Sequence, residues 1–113
     1  MKLHHVPDAA RALDQARGRG ALAYLVGPVT SRAEALDAIG AALSFPSWYG
    51  RNLDALYDCL TDLSWQPDGE HVLIWAGHGD LEAADPDAYR AILAVLTTAT
   101  NPQHPLSVLL ADM

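Results

Sequence analysis

One short segment, residues 45–63 (FPSWYGRNLDALYDCLTDL), carries an evenly spaced series of acidic side chains. Asp54, Asp58 and Asp62 follow one another every fourth residue. At about 100° per residue in an α-helix, this spacing places the three carboxylates on one face. Carboxylates held on a rigid helix can accept charge-assisted hydrogen bonds from cationic side chains of another protein. The pattern therefore indicates a binding surface for a cationic partner.

The same segment carries a second series, the four leucines Leu53, Leu56, Leu60 and Leu63. On a helical projection these leucines fall within a sector about 80° wide, opposite the acidic series. One side of the helix is thus expected to pack in the core and the other to face solvent. A plain solvated polar face is the simplest alternative interpretation of the acidic side.

Electrostatics within the helix argue against solubility as the only reason for the acidic series. Asp54 lies near the helix N-terminus, where the backbone dipoles favour negative charge. Asp58 and Asp62 lack this advantage, and like charges four residues apart cost about 0.2–0.5 kcal/mol per pair. The two later aspartates therefore favour a functional interpretation.

Aromatic residues surround this helix. Trp48 and Tyr49 lie just before it, Tyr57 lies on its flank, and Trp65 follows it. A small domain needs some aromatic residues for its core, but Tyr57 points away from the leucine sector. Aromatic anchors around a few desolvated charges are typical of protein-binding surfaces.

Enzymatic and metal-binding interpretations find less support. Cys59 is the single cysteine, and the neighbouring Asp58 would raise its pKa and weaken it as a nucleophile. The segment GHGD at 77–80 lacks the full pattern of a phosphate-binding loop and is expected only to end a strand. The histidines lack the spacing of a zinc site and are scattered along the chain at His4, His5, His71, His78 and His104. We predict a protein that is not an enzyme and needs no metal or cofactor.

Composition narrows the choice of partners and of compartment. The chain has 113 residues, of which 50% are hydrophobic and 19% charged, as expected for one globular domain. Seven basic residues against 14 acidic ones give a net charge of -7, which disfavours binding to nucleic acid or anionic membranes and favours cationic partners. The N-terminus lacks a signal-peptide pattern, no stretch is apolar enough to span a membrane, and the single cysteine suits a reducing compartment. A cytoplasmic location is expected.

The elements that must position the helix follow from apolar runs and helix caps. Strands are predicted at 20–26, 71–76 and 106–111, and helices at 32–43, at 53–62 and from 86 to a point before Asn101. Apolar strands separated by helices favour a parallel sheet covered by helices. The predicted fold is a small single α/β domain with a three-stranded parallel sheet over residues 20–113. Residues 1–19 are expected to form an N-terminal extension, either mobile or helical over 7–17.

Residues 46–63 also resemble a known family. The pattern consists of an aromatic residue followed by Tyr49, Gly50, any residue, Asn52, Leu53, Asp54, Ala55, Leu56, a further aromatic residue, Asp58, Cys59, Leu60 and Thr61. This pattern closely resembles the signature of the barstar family, intracellular inhibitors of the secreted bacterial ribonuclease barnase. The predicted order of elements also matches the three-stranded parallel fold of that family.

The resemblance implies inhibition by occlusion, in which the acidic helix and the preceding loop plug the active site of a basic ribonuclease. It implies that Asp58 takes the place of a substrate phosphate. The other partner-binding positions that we assign are Trp48, Tyr49, Asn52, Asp54, Tyr57, Thr61 and Asp62. The expected state is a monomer, or a heterodimer with the target.

Three positions depart from the family pattern. Leu63 stands where the best-known member has an interface tryptophan, which Trp65 could replace. Arg51 replaces an acidic residue, and Arg90 lies near a position that contributes a carboxylate in that member. These departures keep open an alternative, a barstar-fold binding or immunity module whose partner is a related toxin or another protein that is not a ribonuclease.

Overall fold

Four parallel strands form the centre of the protein in a computed structural model that describes residues 2–99 and 101–113. The strands are β1 (Lys2–Val6), β2 (Leu22–Val26), β3 (His71–Ala76) and β4 (Leu106–Ala111). Their order across the sheet is β1-β4-β3-β2. The helices are α1 (Ala9–Gly18), α2 (Arg32–Ala42), α3 (Leu53–Asp62), α4 (Gly79–Ala84) and α5 (Pro86–Thr98).

The two faces of the sheet are covered unequally. Helices α2, α3 and α5 pack on one face, around large side chains such as Trp75, Leu73 and Leu110. Helix α1 covers the other face with small residues, among them Ala12 and Ala16, against β3 and β4. Because β3 and β4 are central and covered on both sides, they consist almost wholly of apolar residues, as expected for parallel strands.

Side-chain caps fix the start of α2 and α5, on the face of the sheet that carries three helices. Ser31 accepts a hydrogen bond from the backbone N–H of Glu34 at 3.1 Å, and Asp85 accepts one from Ala88 at 3.1 Å. Pro86 follows Asp85 at the first helical position, where a missing N–H costs nothing. The helices predicted on this face therefore begin where the sequence indicated.

The parallel α/β fold is confirmed, with four strands rather than three. Strand β1 adds to the edge of the sheet by pairing with β4, from Lys2 beside Ser107 to Val6 beside Ala111. Its sequence KLHHV gave no alternating or continuous apolar signal because its two histidines lie at an exposed edge. Residues 2–18 thus supply a strand and a helix that pack with the rest of the chain.

A second difference lies after β3. The segment GHGD at 77–80, which was expected only to end a strand, leads into the short helix α4, which buries Leu81 completely. Its sequence GDLEAA begins with glycine and has one large apolar residue, so no helical periodicity could be recognised. The helix starts two residues after Gly77, whose positive φ of 63° turns the chain at the end of the strand.

Candidate protein-binding face

Helix α3 is fixed at both ends by asparagine side chains. At the N-terminus, Asn52 Oδ1 accepts a hydrogen bond of 2.8 Å from the Ala55 backbone N–H. At the C-terminus, Asn101 Nδ2 donates to the carbonyl oxygens of Thr61 and Asp62, both at 2.8 Å. Backbone groups at helix ends lack partners within the helix, so these contacts hold its orientation. No sequence pattern indicated this role for Asn101, because it lies far along the chain in the segment before β4.

The inward side of α3 is apolar and closely packed. Leu56, Leu60 and Cys59 are completely or almost completely buried, and Leu53 is half-buried. Leu63 ends the helix in a left-handed conformation with a φ of 49°, and its side chain is fully buried. The predicted leucine series therefore forms the contact with the core.

The outward side carries the three carboxylates of Asp54, Asp58 and Asp62, which we call the acidic face. All three side chains are exposed. Among residues 2–99 and 101–113, none of the ion pairs within 4.0 Å involves them. The negative charge of the acidic face is therefore presented to solvent without intramolecular neutralisation in the described part of the chain.

Two further predicted positions flank the acidic face. Tyr57 is 43% exposed, although it belongs to a helix that packs on the core. The Thr61 hydroxyl donates to the backbone oxygen of Tyr57 at 2.9 Å and lies 3.1 Å from that of Asp58. Its hydrogen is thus used within the helix, and the hydroxyl oxygen remains able to accept a hydrogen bond from a partner.

The loop before α3 separates its two aromatic residues. Trp48 is 59% exposed, while Tyr49 turns inward and donates a hydrogen bond of 3.0 Å to the Leu36 backbone oxygen. The Tyr49 ring packs on Gly40 of α2, where an added Cβ would lie 2.8 Å from a ring carbon. Burial, with smaller contributions from Cys59 and Asp37, raises the pKa of Tyr49 to about 12. Tyr49 therefore positions the loop from within.

Trp48 and Trp65 form a second feature, which we call the aromatic ledge. Their ring centroids lie 6.4 Å apart in an edge-to-face arrangement. The ring of Phe45 packs on Trp65 in the same way, with 5.8 Å between the two centroids. The Trp65 indole N–H donates to the Leu43 backbone oxygen at 3.1 Å. Edge-to-face contact and this hydrogen bond hold two large rings beside the loop, with Trp48 at the exposed tip.

The two arginines that depart from the family pattern each pair with a carboxylate. Arg51 Nε lies 3.3 Å from the Asp37 carboxylate, and both side chains are exposed. Arg90 pairs with Asp87 one turn earlier in α5. Exposed pairs of this kind contribute about 0–1 kcal/mol to stability, so a partner can displace them.

Cys59 and the possible metal ligands were the candidates for chemistry in the sequence. Burial raises the pKa of the Cys59 thiol, with smaller contributions from Asp58 and Asp62. A buried thiol of raised pKa is a poor nucleophile. The described residues contain no group of three or more His, Cys, Asp or Glu side chains placed to hold a metal ion. No helix in the described ranges is long and apolar enough to cross a membrane.

Fold and face together define a small parallel α/β protein that presents an acidic helix, fixed at both ends, beside an aromatic ledge. Residues 23–111 match the profile of the family described as barstar (barnase inhibitor), which is well over half of the chain. The chain belongs to the barstar family.

A curated relative is similar over a short stretch. The chain is 64% identical over 25 residues to the "Putative ribonuclease inhibitor YrdF" of Bacillus subtilis (strain 168). That stretch covers 22% of this chain and 28% of the relative.

Proposed function

We propose that this protein inhibits a basic ribonuclease by inserting the acidic face of α3 and the preceding loop into the active site of the enzyme. Asp58, at the centre of the acidic face, takes the place of a substrate phosphate. The protein acts by binding alone, without catalysis or cofactor, as a cytoplasmic monomer that forms a one-to-one complex with its target. Family membership and the name of the bacterial relative support the coarser role of a barnase-type inhibitor.

One observation supports the detailed mechanism: three exposed carboxylates that make no ion pair with the described residues project from a helix whose other side is buried. A ribonuclease gathers cationic side chains to bind phosphate, and these donors are preformed before substrate arrives. A carboxylate on a rigid helix meets such donors with little ordering cost, because neither side must rearrange.

The aromatic residues complete the proposed interface. Trp48 and Tyr57 are both large and more than two fifths exposed, at 59% and 43%. Residues of this kind exclude water around a charged contact and commonly dominate binding energy. Tyr49 and Asn52, which we also assigned to the partner surface, serve it indirectly by holding the loop and the start of α3.

The charge of the whole protein supports rapid capture. A net charge of -7 attracts a basic enzyme over long range and raises the association rate, an effect that weakens as salt increases. Rapid association suits a protein that must block a toxic enzyme before cellular RNA is cut.

The function is tested by titrating barnase, and the basic ribonucleases of the native host, with the purified protein while RNA cleavage is followed. We expect at least one enzyme to lose activity linearly up to one equivalent of inhibitor. If none is inhibited at concentrations of about 1 μM, well above the range of specific inhibitors, the proposal fails.

A second candidate function is binding to a partner that is not a ribonuclease. Its support is the complete burial of Leu63 and the Arg51–Asp37 pair, which replace an interface aromatic residue and an acidic residue of the best-known member. A stoichiometric complex with a host toxin lacking ribonuclease activity, lost on Asp58→Ala, would favour this candidate. A complex that survives Asp58→Ala would show that this binding does not depend on the centre of the acidic face.

A further inference from the structure

The segment 64–70, which carries Trp65, is tied to the sheet by two side chains from neighbouring strands. His71, the fully buried first residue of β3, has its Nε2 2.9 Å from the Pro67 backbone oxygen. Its Nδ1 lies 2.8 Å from the hydroxyl oxygen of Tyr24 in β2. The same Tyr24 oxygen lies 3.1 Å from Oε1 of Gln66, so the contacts run from the sheet to the residue beside Trp65.

The orientation of the Gln66 amide follows from its other contact. Gln66 Nε2 lies 2.6 Å from the Leu43 backbone oxygen, which also accepts the indole N–H of Trp65. A carbonyl oxygen only accepts hydrogen bonds, so the amide nitrogen must face Leu43. The amide oxygen therefore faces Tyr24 and needs a donor there.

These contacts contain too few hydrogens to be satisfied together when the imidazole of His71 is neutral. The Pro67 carbonyl requires a hydrogen on Nε2 of His71, and Gln66 Oε1 requires the single hydroxyl hydrogen of Tyr24. The Tyr24 oxygen can then only accept from Nδ1, which demands a second ring hydrogen. With neutral His71, Tyr24 must donate to Nδ1 instead, and Gln66 Oε1 loses its donor.

The surroundings of His71 set the pH range of this change. Burial is the largest effect and lowers the pKa of His71, and the stacked ring of His104, centred 5.6 Å away, acts in the same direction. The Pro67 carbonyl opposes them. Beyond His104 the exposed carboxylate of Asp68 lies 3.4 Å from Nε2 of that ring. His71 is therefore neutral near pH 7 and takes up its proton only at a pH below the ordinary pKa of histidine.

We propose that His71 is a positioning residue for the aromatic ledge, and that one proton on it switches the Tyr24 hydroxyl from His71 to Gln66. In the protonated form an unbroken series of donors runs from His71 through Tyr24 and Gln66 to Leu43, the residue that also holds Trp65. In the neutral form this series is interrupted at Gln66. The protonation state of the buried His71 ring thus determines how firmly the segment 64–70 is held.

The switch is tested without a partner by NMR of the whole protein between pH 8 and 4.5. We expect the ring nitrogens of His71 to titrate below the ordinary pKa of histidine, and the indole N–H signal of Trp65 to shift with the same midpoint. In the Tyr24→Phe variant His71 still titrates, but the matching shift of Trp65 disappears. A Trp65 shift that persists in Tyr24→Phe, or a His71 ring that does not titrate in this range, overturns the proposal.

Two control variants test whether the effect on Trp65 comes from His71 and passes through Gln66. His104→Phe retains stacking and removes the second imidazole, whose Nε2 lies 3.3 Å from the Gln66 backbone oxygen. If the series runs through Tyr24, the matched midpoint of His71 and Trp65 must remain, displaced upward. Gln66→Met keeps the length of the side chain and removes the amide, so the Trp65 shift must disappear as in Tyr24→Phe. If Gln66→Met leaves that shift intact, the series does not pass through Gln66.

Use of the ledge in binding rests on the proposed function and has its own measurement. Affinity for an inhibited ribonuclease should change across the His71 midpoint by about two- to tenfold, the equivalent of one net hydrogen bond, relative to Tyr24→Phe. If the ratio between the affinities of the unmodified protein and of Tyr24→Phe does not change with pH, the aromatic ledge is not part of the interface. Absence of any inhibited ribonuclease refutes the proposed function, while the NMR measurement still decides the switch.

Discussion

The two sides of helix α3 differ in what their residues accomplish. The inward side, with Leu56, Cys59 and Leu60, is sealed in the core and holds the helix in place. The outward side, with Asp58 and its neighbours, makes no ion pair within the described residues and is free to meet another molecule. The comparison teaches that stability and binding depend on separate residues of one helix. Substitutions on the inward side should therefore lower stability, and substitutions on the outward side should weaken binding.

The largest effect is expected on the inward side. Leu60→Ala removes a side chain that is 1% exposed, and it should lower the free energy of unfolding by about 2–5 kcal/mol. Leu25→Ala, at a leucine that is 50% exposed, is the matched control and should cost less than about 1 kcal/mol. Urea denaturation of both variants measures the difference. Equal losses would mean that the inward side does not stabilise the fold as described.

The outward side should show the opposite behaviour. Asp58→Ala is expected to weaken ribonuclease binding by at least about 2 kcal/mol, as for a residue at the centre of an interface, with unfolding free energy unchanged within about 0.5 kcal/mol. Asp14→Ala on α1 removes the same charge from the opposite sheet face and should affect binding only slightly. Calorimetric titration and urea denaturation give the two quantities. Similar affinity losses in both variants would point to net charge rather than position.

A smaller effect on stability is expected where the Tyr49 ring packs on Gly40, a contact that positions the loop before α3. Gly40→Ala forces the Tyr49 ring aside and should cost about 1–3 kcal/mol, offset in part by better helix propensity. In a Tyr49→Ala background the same change should become stabilising by about 0.5–1 kcal/mol. Gly18→Ala, with open space around the added carbon, is the control. A Gly40→Ala cost that is the same in both backgrounds would refute the contact.

The smallest effect sharpens the comparison within the acidic face. Asp54 is in the first turn of α3 and Asp62 is its last residue. Asp54→Asn should therefore lower stability by about 0.3–1 kcal/mol, and Asp62→Asn should raise it by a similar amount. Both variants should associate more slowly with a basic ribonuclease at low salt. If thermal unfolding shows the same sign for both, the helix dipole does not explain the placement of the two charges.

The parts of the fold that could be predicted from the sequence are those marked by helix caps or continuous apolar runs. Asn52 and Asp85 have side chains that can satisfy helix-terminal N–H groups, and the apolar runs of β3 and β4 follow from burial on both faces. Strand β1 and helix α4 lack these signals, since one is an edge strand with exposed His4 and the other buries little besides Leu81. Their formation depends on tertiary contacts that no local pattern encodes.

The candidate site was predictable where helical periodicity applies. The outward direction of Asp54, Asp58 and Asp62 follows from their spacing alone. The inward direction of Tyr49 could not be predicted, because side chains in a loop have no fixed period. Gly40 was the available hint, since a glycine within a helix often marks the close approach of another group.

The pairing of β1 with β4 has a consequence for how the protein is made. Lys2 lies beside Ser107, so β1 can pair with its neighbour only after the two strands and five helices that lie between them in the chain have been synthesised. Until then the nascent polypeptide keeps an unpaired sheet edge, and β3 lacks one of its two flanking strands. Such distant pairing slows folding, because a long stretch of chain must be closed into a loop before the two strands meet.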